Sequence, residues 1–191
     1  MSQRAQARRC ACLSAIALFA GLAILLAGPV TLAGAAAPAP VATAAAGCAA
    51  AAAAVGQASK RSLVAAVRCL VNASRRASGL RPLRPDGRLA RAARHHARAM
   101  AGRRLLSHTL PGSRSFAQRL RATGFSGLAG EALSWGCGRA ASPRSTVTGW
   151  LNSPGHRAVV LNRGYRRVGV AVAIGGSRCG GAGYWTLVAG G

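Results

Sequence analysis

The sequence predicts an α+β fold, because segments with helical periodicity come first and a pair of strands follows near the C-terminus. Leu63, Val67 and Leu70 recur at the spacing of one helix face. The alternating apolar run 168–174 and the run 184–188 flank a glycine-rich turn, which is typical of an antiparallel hairpin. This order favours α+β over a doubly wound sheet, in which strands and helices alternate.

The N-terminal segment has the order of charged, apolar and small residues that characterises a secretory signal. Residues 1–9 carry three arginines, residues 10–35 are apolar, and an A-x-A-like site lies at the end of this run. The run is also long enough to cross a bilayer. We therefore assign residues 1–35 to a signal peptide or an N-terminal membrane anchor, residues 36–60 to an Ala/Pro-rich linker, and residues 61–191 to one folded domain of a secreted or extracellular protein.

Helices are predicted throughout the first half of this domain. The first covers residues 60–78, and the second covers about 87–101, with Asp86 as its N-cap. Ser113 is the expected cap of a third helix, which ends at Gly124.

The second half begins with a glycine-rich stretch, residues 125–138, which predicts a short strand or a loop. Ser-Pro dipeptides follow at 142–143 and 153–154. Each combines an N-cap serine with a proline at the first helical position, so they predict one helix and a second, shorter helix that runs through Leu161.

The charge balance is strongly basic, with 26 Lys and Arg residues against two acids and a net charge of +24. Such a field attracts polyanions, including acidic wall polymers and anionic membrane surfaces, to an Arg-rich face. The alternative is that the arginines reflect the compositional bias of a GC-rich genome. Aromatic residues make up only 4% of the chain and no nucleic-acid motif occurs, so no specific nucleic-acid recognition is expected.

The two acids limit the chemistry that the chain can perform. Asp86 precedes a predicted helix as its cap, which leaves Glu131 as the only carboxylate free for another role. Paired-carboxylate catalysis, multi-carboxylate calcium loops and di-iron sites all require more carboxylates. The sequence therefore argues against these classes of site.

Four cysteines lie beyond the N-terminal leader, namely Cys48, Cys69, Cys137 and Cys179. In an exported chain, four cysteines indicate two disulfides, for which three connectivities exist. We predict Cys48–Cys69, which would tie the linker to the first helix, and Cys137–Cys179, which would join two glycine-rich loops. No C-x-x-C spacing occurs, which argues against a metal–thiolate site.

Short motifs follow one another in a characteristic order along residues 62–188. They are C-L-V-N-A-S-R at 69–75, G-L-R-P-L at 79–83, S-H-T at 107–109, G-E at 130–131, W-L-N-S-P-G-H-R at 150–157 and Y-W at 184–185. In this order of motifs the chain resembles compact bacterial members of the CAP superfamily, which comprises cysteine-rich secretory, antigen 5 and PR-1-like proteins. The resemblance implies a three-layer α–β–α sandwich with a central antiparallel sheet, exported and often disulfide-bonded.

The resemblance also implies a cavity that, in this family, commonly carries two histidines and two acids. His108, Glu131 and His156 match three of these positions. Ser153 replaces the second acid, the G-E-N signature is altered to G-E-A, and Ser153 and Arg157 are secondary site candidates. We expect His108, Glu131 and His156 to converge in one partly open cleft, with Glu131 within hydrogen-bond distance of at least one histidine.

Two imidazoles and one carboxylate are a ligand set that suits a divalent metal, and imidazole favours Zn²⁺ or a similar ion. The alternative is a structural cluster, in which His108 and His156 form hydrogen bonds around Glu131 and fix three loops. The sequence leaves both interpretations open.

Two classes of function follow from these residues. One is a non-enzymatic exported module that binds a lipid, a small molecule, a metal or a wall polymer at the cleft. The other is a weak, metal-dependent hydrolase or peptidase at the same cleft. The sequence has two local Ser–His pairs, Ser107 beside His108 and Ser153 near His156. Ser153 is already explained as a helix cap, and no G-x-S-x-G elbow, the turn that presents a nucleophilic serine, occurs. A binding module is therefore favoured, and no catalytic residue is assigned.

Overall fold

The computed structural model describes residues 47–176, 179 and 181–191. In chain order the elements are α1 (Lys60–Ala77), β1 (Arg84–Pro85), α2 (Gly87–Arg103), α3 (Phe116–Arg121), β2 (Ala129–Cys137), a 3-10 turn (Gly138–Ala141), α4 (Pro143–Asn152), α5 (Pro154–Val160), β3 (Arg167–Gly175) and β4 (Ala182–Gly190). Strands β1 and β2 lie between helices, so helices and strands are only partly segregated along the chain, and the last two strands form the predicted hairpin. The α+β prediction is confirmed.

The predicted signal or anchor, residues 1–35, lies outside the described residues, as does the linker up to residue 46. Within the part of the chain that the structure describes, every helix is too short or too polar to cross a membrane.

The linker prediction is wrong for residues 47–59, which pack against the domain. Cys48, Ala51 and Ala54 are buried there, and the backbone N–H of Arg144 donates to the Ala51 carbonyl over 2.8 Å. Alanine-rich composition is typical of linkers. Here, however, the small side chains allow the backbone to approach the core closely.

Both predicted disulfides are present. Cys48–Cys69 has a Cα–Cα distance of 5.8 Å and fastens the N-terminal segment to α1. Cys137–Cys179 has a Cα–Cα distance of 6.1 Å and fastens the end of β2 to the turn between β3 and β4. Each cross-link removes conformational freedom mainly from the unfolded chain, which is worth about 2–4 kcal/mol.

The sheet has the strand order β1-β3-β4-β2. Strand β4 pairs antiparallel with both β3 and β2, and the two-residue β1 pairs parallel with β3. Strand β2 therefore lies at one edge, where its third residue, Glu131, pairs with Val188. Strand β2 is also approached by α5, since Val159 lies close to Gly130.

Each face of the sheet packs against its own layer of helices. Val168, Val170 and Val172 of β3 belong to a core that includes residues of α1 and α4. Ala171 and Ala173 belong to a second core that includes residues of α2. Because successive strand side chains point to opposite faces, one strand contributes to both cores. The three-layer α–β–α sandwich implied by the resemblance is therefore present.

Strand β2 is longer than the glycine-rich sequence predicts, since all nine residues pair with β4. The glycines of β2 lie within the strand, at positions where another segment packs too closely for a side chain. A Cβ at Gly136 would lie 2.8 Å from the Ala140 carbonyl oxygen, and one at Gly130 would lie 2.9 Å from a methyl group of Val159. Glycine inside a strand often marks such a close approach of another segment.

The N-cap of α3 is Ser115, so the prediction of Ser113 was wrong. The Ser115 hydroxyl accepts from the Gln118 N–H, and the Gln118 side chain accepts from the Ser115 N–H, which forms a reciprocal capping box. The Ser113 hydroxyl instead donates to the Leu110 carbonyl. Asp86 caps α2 as expected, since its carboxylate accepts from two backbone N–H groups of the first turn.

Gly169→Ala is expected to lower the free energy of unfolding by about 2 kcal/mol or more, because overpacking against a backbone forces helix and sheet apart. A Cβ on Gly169 of β3 would overlap the backbone of Leu89 and Ala90, where α2 crosses the strand. Urea denaturation measures the change. Gly149→Ala in α4 is the control, because a Cβ there meets open space and alanine favours a helix by up to about 1 kcal/mol. Equal stability of Gly169→Ala and wild type would contradict this packing.

Candidate functional site

Glu131 is the third residue of the edge strand β2, and only 7% of its surface is exposed. A carboxylate buried to this extent is costly unless it is paired. The Nη2 of Arg119 donates to both carboxylate oxygens, over 2.8 Å to Oε1 and 2.9 Å to Oε2. The one Glu of the chain is therefore held as a buried ion pair.

Arg119 lies on α3, and it connects the buried carboxylate to the loop that carries His108. Its Nη1 donates to the carbonyls of His108 and Arg114, over 3.0 Å each. Sequence reasoning missed this residue because nothing local distinguishes it among so many arginines. The sequence contains only an indirect signal for this role. Arg119 follows Phe116 by three residues, which places both on the inner face of the same helix. A glutamate buried near that face needs a cationic partner.

His108 donates from Nδ1 to Oε2 of Glu131 over 3.0 Å. Since an ionised carboxylate can only accept, this bond places the proton of a neutral imidazole on Nδ1 and leaves the Nε2 lone pair free. The His108 side chain is 54% exposed. Its Nε2 is therefore oriented from behind by a carboxylate and can be reached from solvent.

His156 lies in the first turn of α5, half-buried beside His108. The two ring centroids are 6.1 Å apart, and the ring planes are inclined by 44°. Burial lowers the pKa of His156, and the nearby His108 lowers this pKa further. His156 is therefore neutral at pH 7, with a ring lone pair available for a ligand.

His96, on α2, supports the same cluster from the interior. It is only 1% exposed, its Nε2 donates to the Ser107 carbonyl over 2.8 Å, and this nitrogen lies 3.8 Å from Glu131 Oε2. Burial lowers the pKa of His96 more than the Glu131 carboxylate raises it. This neutral imidazole fixes the backbone next to His108.

The serines and Arg157 take structural positions around the cleft. The Ser107 hydroxyl donates to the Thr109 carbonyl over 2.8 Å, and in the described ranges no hydrogen bond joins the hydroxyl group of Ser107 or of Ser153 to an imidazole. Ser153 occupies the N-cap position of α5 but makes no side-chain cap bond, which corrects its interpretation as a helix cap. Arg157 Nη1 donates to the Leu151 carbonyl over 3.5 Å.

The three predicted cleft residues lie together, but they do not form a three-ligand metal set. Among the described residues, no group of three His, Cys, Asp or Glu side chains is placed to hold one metal ion. The reason is the role of Glu131, whose two oxygens accept from Arg119 and His108. Glu131 supports His108 from behind, and the groups that remain for a ligand are the imidazoles of His108 and His156.

The fold agrees with a comparison against known protein families. The model of the CAP family, the cysteine-rich secretory protein family, matches residues 69–189. The chain belongs to this family.

Individual relatives give a more distant likeness. The chain is 33% identical over 109 residues to the uncharacterized protein YkwD of Bacillus subtilis (strain 168). The aligned segment covers 56% of this chain and 41% of that protein. The chain thus spans less than half the length of this curated relative.

Solved structures with the same fold include two bacterial proteins. One is an extracellular protein containing an SCP domain from Bacillus anthracis, with a TM-score of 0.57, 24% identity, and coverage of 69% of this chain and 41% of that chain. The other is an outer surface protein from Borrelia burgdorferi, with a TM-score of 0.54, 23% identity, and coverage of 65% and 88%. At these identities the likeness shows the fold alone.

Proposed function

We propose that this protein is an exported, non-enzymatic binding module whose cleft holds a divalent metal ion through His108 and His156. The observation that carries the proposal is the separation of 6.1 Å between the two ring centroids. A zinc ion lies about 2.0–2.1 Å from a ligating nitrogen, hence about 3.2 Å from the ring centroid, so two rings on one tetrahedral ion are about 5.2 Å apart. The two rings in the structure are slightly wider apart than this, and a small rotation of the exposed His108 ring would bring both onto one ion.

The surrounding residues favour the same ligand chemistry. The Glu131 carboxylate accepts from His108 Nδ1 and so directs the basic Nε2 outward, as second-sphere carboxylates do in metal sites. The lowered pKa of His156 keeps its imidazole neutral. Two imidazoles suit Zn²⁺ or a similar ion, and such an ion would supply a Lewis-acidic centre for an anionic or polar group of a bound molecule.

A hydrolase is less consistent with the cluster. A metal-dependent or serine hydrolase needs a free base near the reacting group. Glu131 is paired with Arg119 on both oxygens, and in the described part of the chain neither the Ser107 hydroxyl nor the Ser153 hydroxyl bonds an imidazole. With both imidazoles engaged on the metal, the cleft therefore offers ligands and a hydrogen-bonded scaffold, but no uncommitted carboxylate or imidazole to act as base.

Export is supported by two independent features. Two disulfides close within the described residues, and disulfides persist mainly outside the cytosol. Proteins of the same fold include one described as extracellular and one described as an outer surface protein. A leader of residues 1–35 with the composition of a secretory signal provides the route.

Zinc titration by calorimetry tests the proposal. We expect one Zn²⁺ per chain, and an affinity at least about tenfold lower in His108→Gln and in His156→Gln, since each variant removes one of two protein ligands. His95→Gln is the control, because His95 is exposed on α2 and is no part of the cleft. Unchanged affinity in both cleft variants would contradict the proposal. Zinc-dependent hydrolysis of peptides or esters that is lost in His156→Gln would instead establish the hydrolase.

A further inference from the structure

A second concave site lies between α2 and α3, and Arg119 also contributes to its lining. This α2–α3 cavity has a volume of about 200 Å³. Its lining includes Arg91, Ala92, His95, Arg114, Arg119 and Ala122. Three guanidinium groups and one imidazole thus line a cavity to which no carboxylate contributes.

Arg119 has one donor that the protein leaves unused. Its Nη1 and Nη2 make four hydrogen bonds, to two carbonyls and to both oxygens of Glu131. The fifth donor, Nε–H, is buried and has no partner among the described residues. A buried donor without a partner is destabilising, and more so when it is charged, so it requires an explanation.

The positive charge at the cavity is not compensated by the protein. Glu131 neutralises Arg119, and the remaining acid of the chain, Asp86, is engaged at the N-terminus of α2. Arg91 and Arg114 therefore contribute about two unmatched charges. Arg91 is also held in place, because its Nη2 donates to the Thr123 carbonyl over 3.2 Å.

We propose that the α2–α3 cavity binds a tetrahedral oxyanion, a phosphate or sulfate group carried by a small molecule. Planar guanidinium groups match such an anion through paired N–H donors. Arg91 and Arg114 flank the anion at the mouth, and the Nε–H of Arg119 is the interior donor that it satisfies. A volume of about 200 Å³ is below the usual range for drug-sized ligands and fits an oxyanion with a small substituent.

Calorimetric titration with inorganic phosphate, at physiological ionic strength, tests the site. We expect saturable binding of one phosphate per chain, weakened about tenfold in Arg91→Gln and in Arg114→Gln, since each loses a charge-assisted contact. Arg163→Gln removes the same charge from an exposed loop and should leave the affinity unchanged. A second readout is the NMR resonance of Arg119 Nε–H, which we expect phosphate to shift in the wild type.

Two further ligands distinguish the source of the anion. Glycerol 3-phosphate should compete with inorganic phosphate, because the site is proposed to take a phosphate carried by a small molecule, and a failure to compete would overturn the proposal. Vesicles of phosphatidylcholine doped with phosphatidic acid test the alternative that the exposed arginines simply attract an anionic surface. Binding to these vesicles without saturable phosphate binding would overturn the proposal. Equal loss in Arg114→Gln and Arg163→Gln, or an unmoved Arg119 resonance, would also overturn it.

Discussion

Glu131→Gln is expected to lower the free energy of unfolding by about 3 kcal/mol, because removal of one member of a buried ion pair leaves the other charge uncompensated. The variant retains the shape of the side chain but leaves Arg119, only 4% exposed, without its counter-ion. It also replaces the oxygen that accepts from His108 with an amide. Urea unfolding at neutral pH measures the change.

The matched control is Asp86→Asn, which makes the same carboxylate-to-amide change at the other acid of the chain. Asn is as good an N-cap as Asp, so this variant should stay within about 0.5 kcal/mol of wild type. A double-mutant cycle with Arg119→Met isolates the pair: the combined loss should be about 2 kcal/mol smaller than the sum of the single losses. Additive losses, or a Glu131→Gln variant as stable as Asp86→Asn, would contradict the ion-pair account.

Arg75→Met is expected to lower the free energy of unfolding by about 4 kcal/mol, because each hydrogen bond to a charged donor contributes about 1.5–3 kcal/mol. Arg75 is fully buried at the C-terminal end of α1. Its guanidinium donates to the carbonyls of Arg81, Val160, Asn162 and Tyr165. The side chain thus joins α1 to the end of α5 and to the loop before β3.

Methionine retains most of the volume of Arg75, so the loss should reflect the carbonyls left without a donor rather than a cavity. The control is Arg76→Met, one residue further along the same helix turn, where the side chain is exposed. We expect that control to remain within about 0.5 kcal/mol of wild type. Thermal and urea unfolding of the two variants should therefore differ widely, and equal stability would show that Arg75 does not fasten these elements.

Sequence patterns predicted the elements that depend on local interactions. Asp86 caps α2 and Ser142 caps α4 in the structure, since each side chain accepts from backbone N–H groups two or three residues ahead. Such contacts lie within a few residues and can be recognised in a sequence. Ser115 was missed in favour of Ser113 because both precede the same short helix.

Long-range contacts account for the errors in the fold. The glycines of β2 and the alanines of residues 47–59 have composition typical of loops and linkers. Their actual places depend on neighbours far along the chain, such as Val159 beside Gly130 and Arg144 beside Ala51. Local propensity carries no information about those neighbours.

In the candidate site, too, sequence motifs identified some residues, and a residue defined by long-range contacts was missed. His108, Glu131 and His156 were selected through the motifs of the family, and the structure brings the three side chains together. Arg119 lies outside those motifs, and its role depends on the burial of a carboxylate contributed by a distant strand. The ion pair with Arg119 alters the expected role of Glu131, because the carboxylate orients His108 through a hydrogen bond instead of serving as a metal ligand.

Anomalous diffraction at the zinc edge, from crystals of the protein grown with Zn²⁺, tests the central claim most directly. We expect one strong peak in the cleft, within coordination distance of both His108 and His156, with Glu131 still bonded to Arg119. A peak that involves Glu131 as a direct ligand, or a cleft without anomalous density while zinc binds at His95, would contradict the account.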